Sequence, residues 1–230
     1  MPSQATSRSV LVDEVIDRLR ADITAGRWPI GARIPAEAAL VAELGVARGT
    51  VREAVRALAH AGLLQVRQGD GTYVRATTEL AGAVQRLGSD LQDVQEVRGA
   101  LDPQAARLAA ERISDAQLAD LDAIIARRAD AWSRRDRESW LDADVDFHQA
   151  IADASGNPLL SELYAALTAP LRRTLLEDWH EPDFNGGDPR GHEGLVAALH
   201  ARDPEAAARS AAVNIDISLH RARLQARTNQ

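Results

Sequence analysis

The chain has 230 residues, 45% of them apolar but only 3% aromatic, with no cysteine and a formal net charge of −7. That length holds one large or two modest domains, and the apolar share supports a core built mainly from alanine and leucine. The missing cysteine excludes disulfides and thiolate metal sites, while the lack of a signal core or a long apolar run argues against a membrane partner and for a cytoplasmic protein.

The charge is unevenly distributed. Residues 1–76 carry 10 Arg against 8 Asp and Glu, a net of +2, and residues 77–230 carry 17 Arg against 26 acids, a net of −9. A mildly basic first segment on an acidic chain directs attention to a polyanionic partner for that segment alone.

In chain order, residues 9–25 place Val12, Val15, Ile16, Leu19 and Ile23 at amphipathic helical spacing, and Gly26 offers a C-cap. Pro29 and Gly31 make a turn, in which Trp28 is a candidate to pack between domains. A second helix starts near Pro35, with Glu37 at the positive end of its dipole, buries Leu40, Val41 and Leu44, and closes at Gly45. The third helix runs from about Arg48 to Ala61 and buries Val51, Ala54, Val55 and Leu58. Arg48, Arg52 and Arg56 recur every fourth residue on its other face. Like charges at that spacing repel in an isolated helix, so either water or a polyanion must face them. Leu64 and Val66, the turn Gln68-Gly69-Asp70-Gly71, then Thr72, Tyr73 and Val74 read as a β-hairpin. Helix, turn, helix and hairpin in this order predict a winged helix-turn-helix over residues 1–76, a shape that sets one helix in the major groove of DNA.

Residues 77–90 read as a linker with a short helical piece. Beyond it no strand pattern occurs, and helices are expected at about 91–112, 114–133, 136–154, 158–180, 189–201 and 204–226. Ser114 is a good N-cap, and breaks fall at Gly156-Asn157-Pro158, Pro182 to Pro189 and Asp203-Pro204. Residues 91–230 are therefore expected to form an all-α six-helix bundle, making the whole chain mainly α.

Polar residues inside the apolar stripes of that bundle are informative, because their burial is costly unless they are paired. Arg98 falls in the stripe of Val94, Val97, Leu101 and Leu108. Asp144 and His148, one turn apart, share the face of Leu141, Val145 and Ile151. His192 joins Leu195, Val196 and Leu199, and Asn214 sits between Ala211 and Ile217. Asp144, His148 and His192 suit a divalent metal such as zinc, manganese or nickel; equally, the first two suit an ordinary hydrogen-bonded pair and the third a satisfied core histidine. A buried Arg98 is a ready anchor for a carboxylate. Trp132, Trp140 and Trp179 read as packing anchors, and His60, His180 and His200 belong to no constellation.

Residues 10–75 resemble the GntR superfamily of bacterial transcription regulators through GRWPIGARIPAE (26–37), LGVARGTVREAVRAL (44–58), GLL (62–64) and GDGTYV (69–74). The resemblance implies DNA contacts from Arg33, from Arg48, Thr50 and Arg52 in the major groove, and from the Gly69 backbone at the wing tip. Ala36 and Ala47 replace the family's usual Ser or Thr, and Gly49 lacks a side chain, so operator sequence cannot be borrowed from relatives. Residues 92–222 resemble the FadR-like effector domain of the FCD class through EVRxxLD (96–102), DVDFHQAIA (144–152), SGNP (155–158), HEGLVAAL (192–199) and DPEAA (203–207). That resemblance implies a metal on Asp144, His148 and His192, with Asn214 where a fourth ligand, histidine, is usual. An amide oxygen is the weaker donor, so metal affinity should fall or a water complete the shell. Arg98 matches the effector-carboxylate position, and Asn157 lies in a turn where it also serves as a helix breaker.

The expected function is a ligand-responsive, homodimeric transcription regulator, more often a repressor in such families, that binds a palindromic operator in double-stranded DNA and senses a small carboxylate. The alternative from another class is a metal-dependent hydrolase or isomerase with an accessory DNA-binding domain; it lacks an evident general base beside the ligand set.

Overall fold

The structure is a computed structural model that describes residues 4–87, 91–179 and 189–215. It divides into two compact units, Met1–Gly88 and Ser89–Gln230. The part of the expected 204–226 helix beyond residue 215, with Ile217, and the break around Pro182 with His180 lie outside the described residues.

The first unit holds α1 (Gln4–Thr24), α2 (Glu37–Leu44), α3 (Arg48–Ala61), strands β1 (Leu64–Arg67) and β2 (Gly71–Val74), and α4 (Glu79–Leu87). Val15, Leu19 and Ile23 of α1 pack with Leu40, Val51, Ala54, Val55 and Leu58 to form the core. Gly45 and Gly62 end α2 and α3 in the left-handed conformation, at φ 67° and 87°. β1 and β2 pair antiparallel, with Leu64 opposite Val74 and Arg67 opposite Gly71. The segment before α2 joins this wing: Gly31 and Ile34 donate to the carbonyls of Val74 and Thr72 at 2.8 and 2.9 Å. Trp28, a candidate for packing between domains, lies against the first unit's own core.

The short helical piece expected within 77–90 is α4. Helix α4 docks on the end of α3, where a Cβ on Gly82 would lie 2.8 Å from the Gly62 carbonyl carbon. Only glycine permits that approach. Gln85 adds a hydrogen bond to the Arg75 carbonyl at 3.1 Å.

Among the described residues, the second unit is helical throughout: α5 (Leu91–Arg112), α6 (Asp115–Ser133), α7 (Arg137–Ala154), α8 (Pro158–Trp179), α9 (Pro189–His200) and a further helical run over 204–215. Side-chain caps place the boundaries. Ser114 and Gln117 form a capping box at the start of α6, Asp136 accepts from the Ser139 amide at the start of α7, and Asn157 accepts from the amides of Leu159 and Leu160 at the start of α8. Asn157 is thus a helix cap. Ala105, Ala106, Ala109 and Ala110 make one face of α5 small enough for close packing with Phe147, Ile151, Leu195 and Leu199. A second cluster gathers Trp140, Leu141, Leu171 and Leu175, with Trp132 and Trp179 tilted or edge-on at centroid separations of 5.1 to 6.2 Å.

The α5 stripe differs from the expected one. Val97 is 47% exposed, and the buried line runs through Val94, Gln95, Arg98, Asp102, Ala105 and Ala109. The helix is rotated so that three polar groups, rather than Val97, point inward. Their mutual pairing makes that burial affordable.

Candidate functional site

Each unit presents one site. In the first, α3 carries its apolar residues inward and leaves Arg48, Arg52 and Arg56 exposed. Arg48 has 77% of its side chain exposed and only a loose contact to Glu37 at 3.3 Å, a pair worth little in water. Thr50 departs from expectation: it is 5% exposed. It shares the buried stripe of Ala54 and Leu58 at four-residue spacing, so its side chain packs inside the domain and does not stand on the arginine face.

Arg33 is exposed and bridges Tyr73 of β2 in strand fashion, which fixes it beside the wing. Its guanidinium lies over Gly71, where any Cβ would collide with it. Gly69 is exposed at the wing tip at φ 77°, with open space around it. The residues preceding α2 and α3, Ala36 and Ala47, offer no side-chain cap, so both helices present uncapped amides at their positive ends.

The second site lies inside the bundle. Asp144 and His148 of α7 and His192 of α9 bring one ligand atom each within 4.8 Å of one another, and all three are buried. His148 Nε2 stands 3.6 Å from Asp144 Oδ2, and His192 Nε2 stands 3.4 Å from Asp144 Oδ1. Arg98, 3% exposed, reaches in from α5. It donates to Asp102 at 2.9 Å, to the Tyr164 hydroxyl at 3.1 Å and to Gln95 at 3.3 Å, and its Nη2 lies 3.0 Å from His148 Nε2. Tyr164 in turn donates to the other Asp102 oxygen at 2.6 Å. Asp102, His148, Tyr164, Asn214 and apolar neighbours line a cavity of about 10 Å³, room for roughly one water.

Burial and charge set the protonation states. Burial pushes the Asp144 carboxyl up, but Arg128 outweighs it, with help from the two histidines, and holds it well below the carboxylate range. Burial and Arg98 hold His148 neutral, well below the usual histidine value. Burial also lowers His192, with Arg128 and Arg98 adding to the effect against the pull of Asp144. Burial opposes the Arg98 charge, yet Asp102 and Tyr164 more than restore it. Asp102 is raised by burial despite Arg98.

The donor set fits a divalent metal: two neutral imidazoles and an ionised carboxylate converge, and the buried Nδ1 of His192 makes no hydrogen bond while its Nε2 reaches only the Asp144 carboxylate. The structure brings Arg98, Asp144, His148, His192 and Asn214 into one locality, as their stripe positions suggested. Sequence reasoning missed three members, Asp102, Tyr164 and Arg128. Asp102 carried a signal, since it stands one turn after Arg98 on the same face. Arg128 carried none, because its partner Asp144 is on another helix.

Among the described residues no helix is long and apolar enough to cross a membrane. Residues 11–74 match the family described as bacterial regulatory proteins, gntR family, and residues 93–226 match the FCD domain. The transcriptional regulator Mce2R of Mycobacterium tuberculosis is 32% identical over 222 residues, covering 92% of this chain and 91% of its own. The galactonate operon transcriptional repressor of Escherichia coli K12 is 27% identical over 220 residues, covering 91% and 95%. Among solved structures, a GntR protein of Streptococcus agalactiae is 30% identical, superimposes with a TM-score of 0.55 and covers 92% of this chain and 99% of its own. The hydrolase or isomerase alternative gives way here, since relatives spanning almost the full chain are regulators. An exposed arginine helix with a wing, joined to a helical unit around a buried polar pocket, places this chain in the GntR family of bacterial transcription regulators with an FCD effector domain: a ligand-responsive DNA-binding protein and not an enzyme.

Proposed function

We propose that the chain is a cytoplasmic, homodimeric repressor whose residues 1–76 bind a palindromic operator and whose residues 91–230 dimerise and bind a small carboxylate. Arg48 and Arg52 read the major groove, Arg33 and the Gly69 backbone follow the wing, and the uncapped ends of α2 and α3 face phosphates. Thr50 contributes packing. Two copies related by a two-fold axis present two such helices to the two half-sites.

The effector reading rests on one observation, a buried Arg98 bonded to Asp102 and close to His148, two residues that line a small cavity beside the Asp144, His148 and His192 donors. The effector carboxylate takes over part of the Arg98 fork now satisfied by Asp102. Asp102 stays behind with its Tyr164 hydrogen bond, so the exchange costs free energy that other contacts of the ligand must return. Selectivity therefore comes from a second group on the ligand, such as a hydroxyl or a further carboxylate. Asp144, His148 and His192, with Asn214 at the weaker fourth position, would hold a zinc, manganese or nickel ion, which when bound supplies a Lewis-acidic centre for that second group. A cavity of about 10 Å³ cannot take a sugar acid or dicarboxylate as it stands. Ligand binding therefore selects an expanded bundle, and DNA affinity changes by the ligand's preference for that state.

A panel of hydroxy, sugar and dicarboxylic acids, read by thermal shift and by release of operator DNA, tests this reading. The wild type should respond to at least one acid that Arg98→Met ignores. An Arg98→Met protein that is folded and equally responsive would remove Arg98 from the effector site.

A further inference from the structure

We propose that Arg128 is a built-in competing cation that holds the carboxylate oxygen a metal would use, and so sets how tightly this chain takes a metal. The proposal rests on the metal reading of the Asp144, His148 and His192 cluster. It goes beyond that reading by assigning control of affinity to a residue outside the donor set.

Two neighbouring arginines on α6 behave differently. Arg127 is solvent-exposed and pairs with the equally exposed Asp146 at 3.1 Å. Arg128 has only 12% of its side chain exposed, stacks over Trp140 at 4.8 Å from the ring centroid, and donates its Nε–H to Asp144 Oδ1 at 2.6 Å. This is the same oxygen that faces His192 Nε2 at 3.4 Å. A cation lying between Asp144 and His192 must share or displace the Arg128 hydrogen bond, which is short and charge-assisted.

The charges reinforce the geometry. Arg98 is paired with Asp102 and Arg128 with Asp144, so each guanidinium already has its own carboxylate before any ion arrives. A divalent ion adds two positive charges beside two guanidinium groups in a poorly solvated pocket, a repulsion that water screens little. Asn214, a neutral amide in place of imidazole, does nothing to offset it. Arg128 also gives the buried Asp144 carboxylate the cationic partner that a bound metal would otherwise provide.

The test is zinc titration of the chelator-stripped full-length protein by calorimetry, with bound metal counted by mass spectrometry, for wild type, Arg128→Met and Arg128→Lys. The Met variant keeps an unbranched aliphatic side chain and removes the charge; it should bind zinc at least about tenfold more tightly, the order expected from deleting one nearby unit charge. The Lys variant keeps the charge and should remain within a few-fold of wild type. Near-ultraviolet circular dichroism of the tryptophan cluster reports whether each variant is folded. A second reading needs no stability in the Met variant: the arginine Nε–H resonance of Arg128 in the wild type, assigned by its loss in the Lys variant, should shift at zinc saturation as its bond to Asp144 is disturbed. Zinc binding by wild type with unchanged affinity in a folded Met variant and an unmoved Nε–H signal overturns the role of Arg128 alone. No zinc uptake by wild type or either variant overturns the metal reading and this inference together.

Discussion

The two units use the same side chain in opposite ways. In the first, the α3 arginines stand in water with at most a loose partner; in the second, Arg98 is buried and Arg128 largely covered, and each is paired with a buried carboxylate. An exposed guanidinium loses little when removed from the free protein and much when removed from a complex with phosphate. A buried guanidinium holds its own fold together, because deletion strands a carboxylate. Residue type therefore predicts almost nothing here. Location in the fold decides whether an arginine's energy appears in stability or in binding.

Substitutions can break that contrast. The largest effect is expected at Arg98→Ala, which leaves Asp102 without its cation and should lower unfolding free energy by about 3–5 kcal/mol in urea titration. Adding Asp102→Leu should recover much of the loss; a single variant as stable as wild type would show that the buried network is not cohesive. Next, Arg52→Ala should weaken operator binding by about 1–3 kcal/mol in anisotropy titrations while shifting stability by less than about 0.5 kcal/mol. Loss of fold in that variant would erase the distinction between the two arginine sets.

A pH titration sharpens the comparison from the second unit's side. His148 and His192 are held neutral in the fold, whereas the unfolded chain protonates near the ordinary histidine value of 6.5. Acidification below that value thus adds protons to the unfolded state only. Stability falls, by at most about 1.4 kcal/mol per pH unit for each histidine. Chelator-stripped protein should melt lower at about pH 5 than at about pH 7.5, and His192→Asn should lessen the decline. That variant separates the histidine contribution from Asp102, whose raised carboxyl acts in the opposite sense. The smallest effect is expected at Gly71→Ala. It strains a backbone at φ 152° and pushes the Arg33 guanidinium aside, so operator affinity should drop by about 1 kcal/mol. In an Arg33→Ala background the same change should cost less, because the displaced group is already gone.

Much of this architecture was legible in local patterns. Ser114, Gly45, Gly62 and Pro158 mark helix ends by backbone chemistry that acts within a turn, and the wing announced itself through Asp70-Gly71 between β-prone runs. Asp144, His148 and His192 stood out because each interrupts an apolar stripe. What stayed hidden depends on partners far away in the chain. Arg128 sits in a polar stretch and is drawn inward by Asp144 and Trp140 of another helix. Val97 was expected inside, but Gln95, Arg98 and Asp102 took that space by satisfying one another and Tyr164. Thr50 was assigned to the groove by resemblance, although its helical phase matches the core. The stretch 77–90 read as a linker because a helix docked through two glycines leaves little apolar signature.

The narrowness of the buried chamber bears on time as well as affinity. On the proposed effector reading, a space that admits about one water must widen before a larger acid can be seated. With opening first, the observed association rate should climb with ligand concentration and then level off at the opening rate. The regulator's reaction to a sudden rise in its signal would then be limited by motion of the bundle, however abundant the signal becomes.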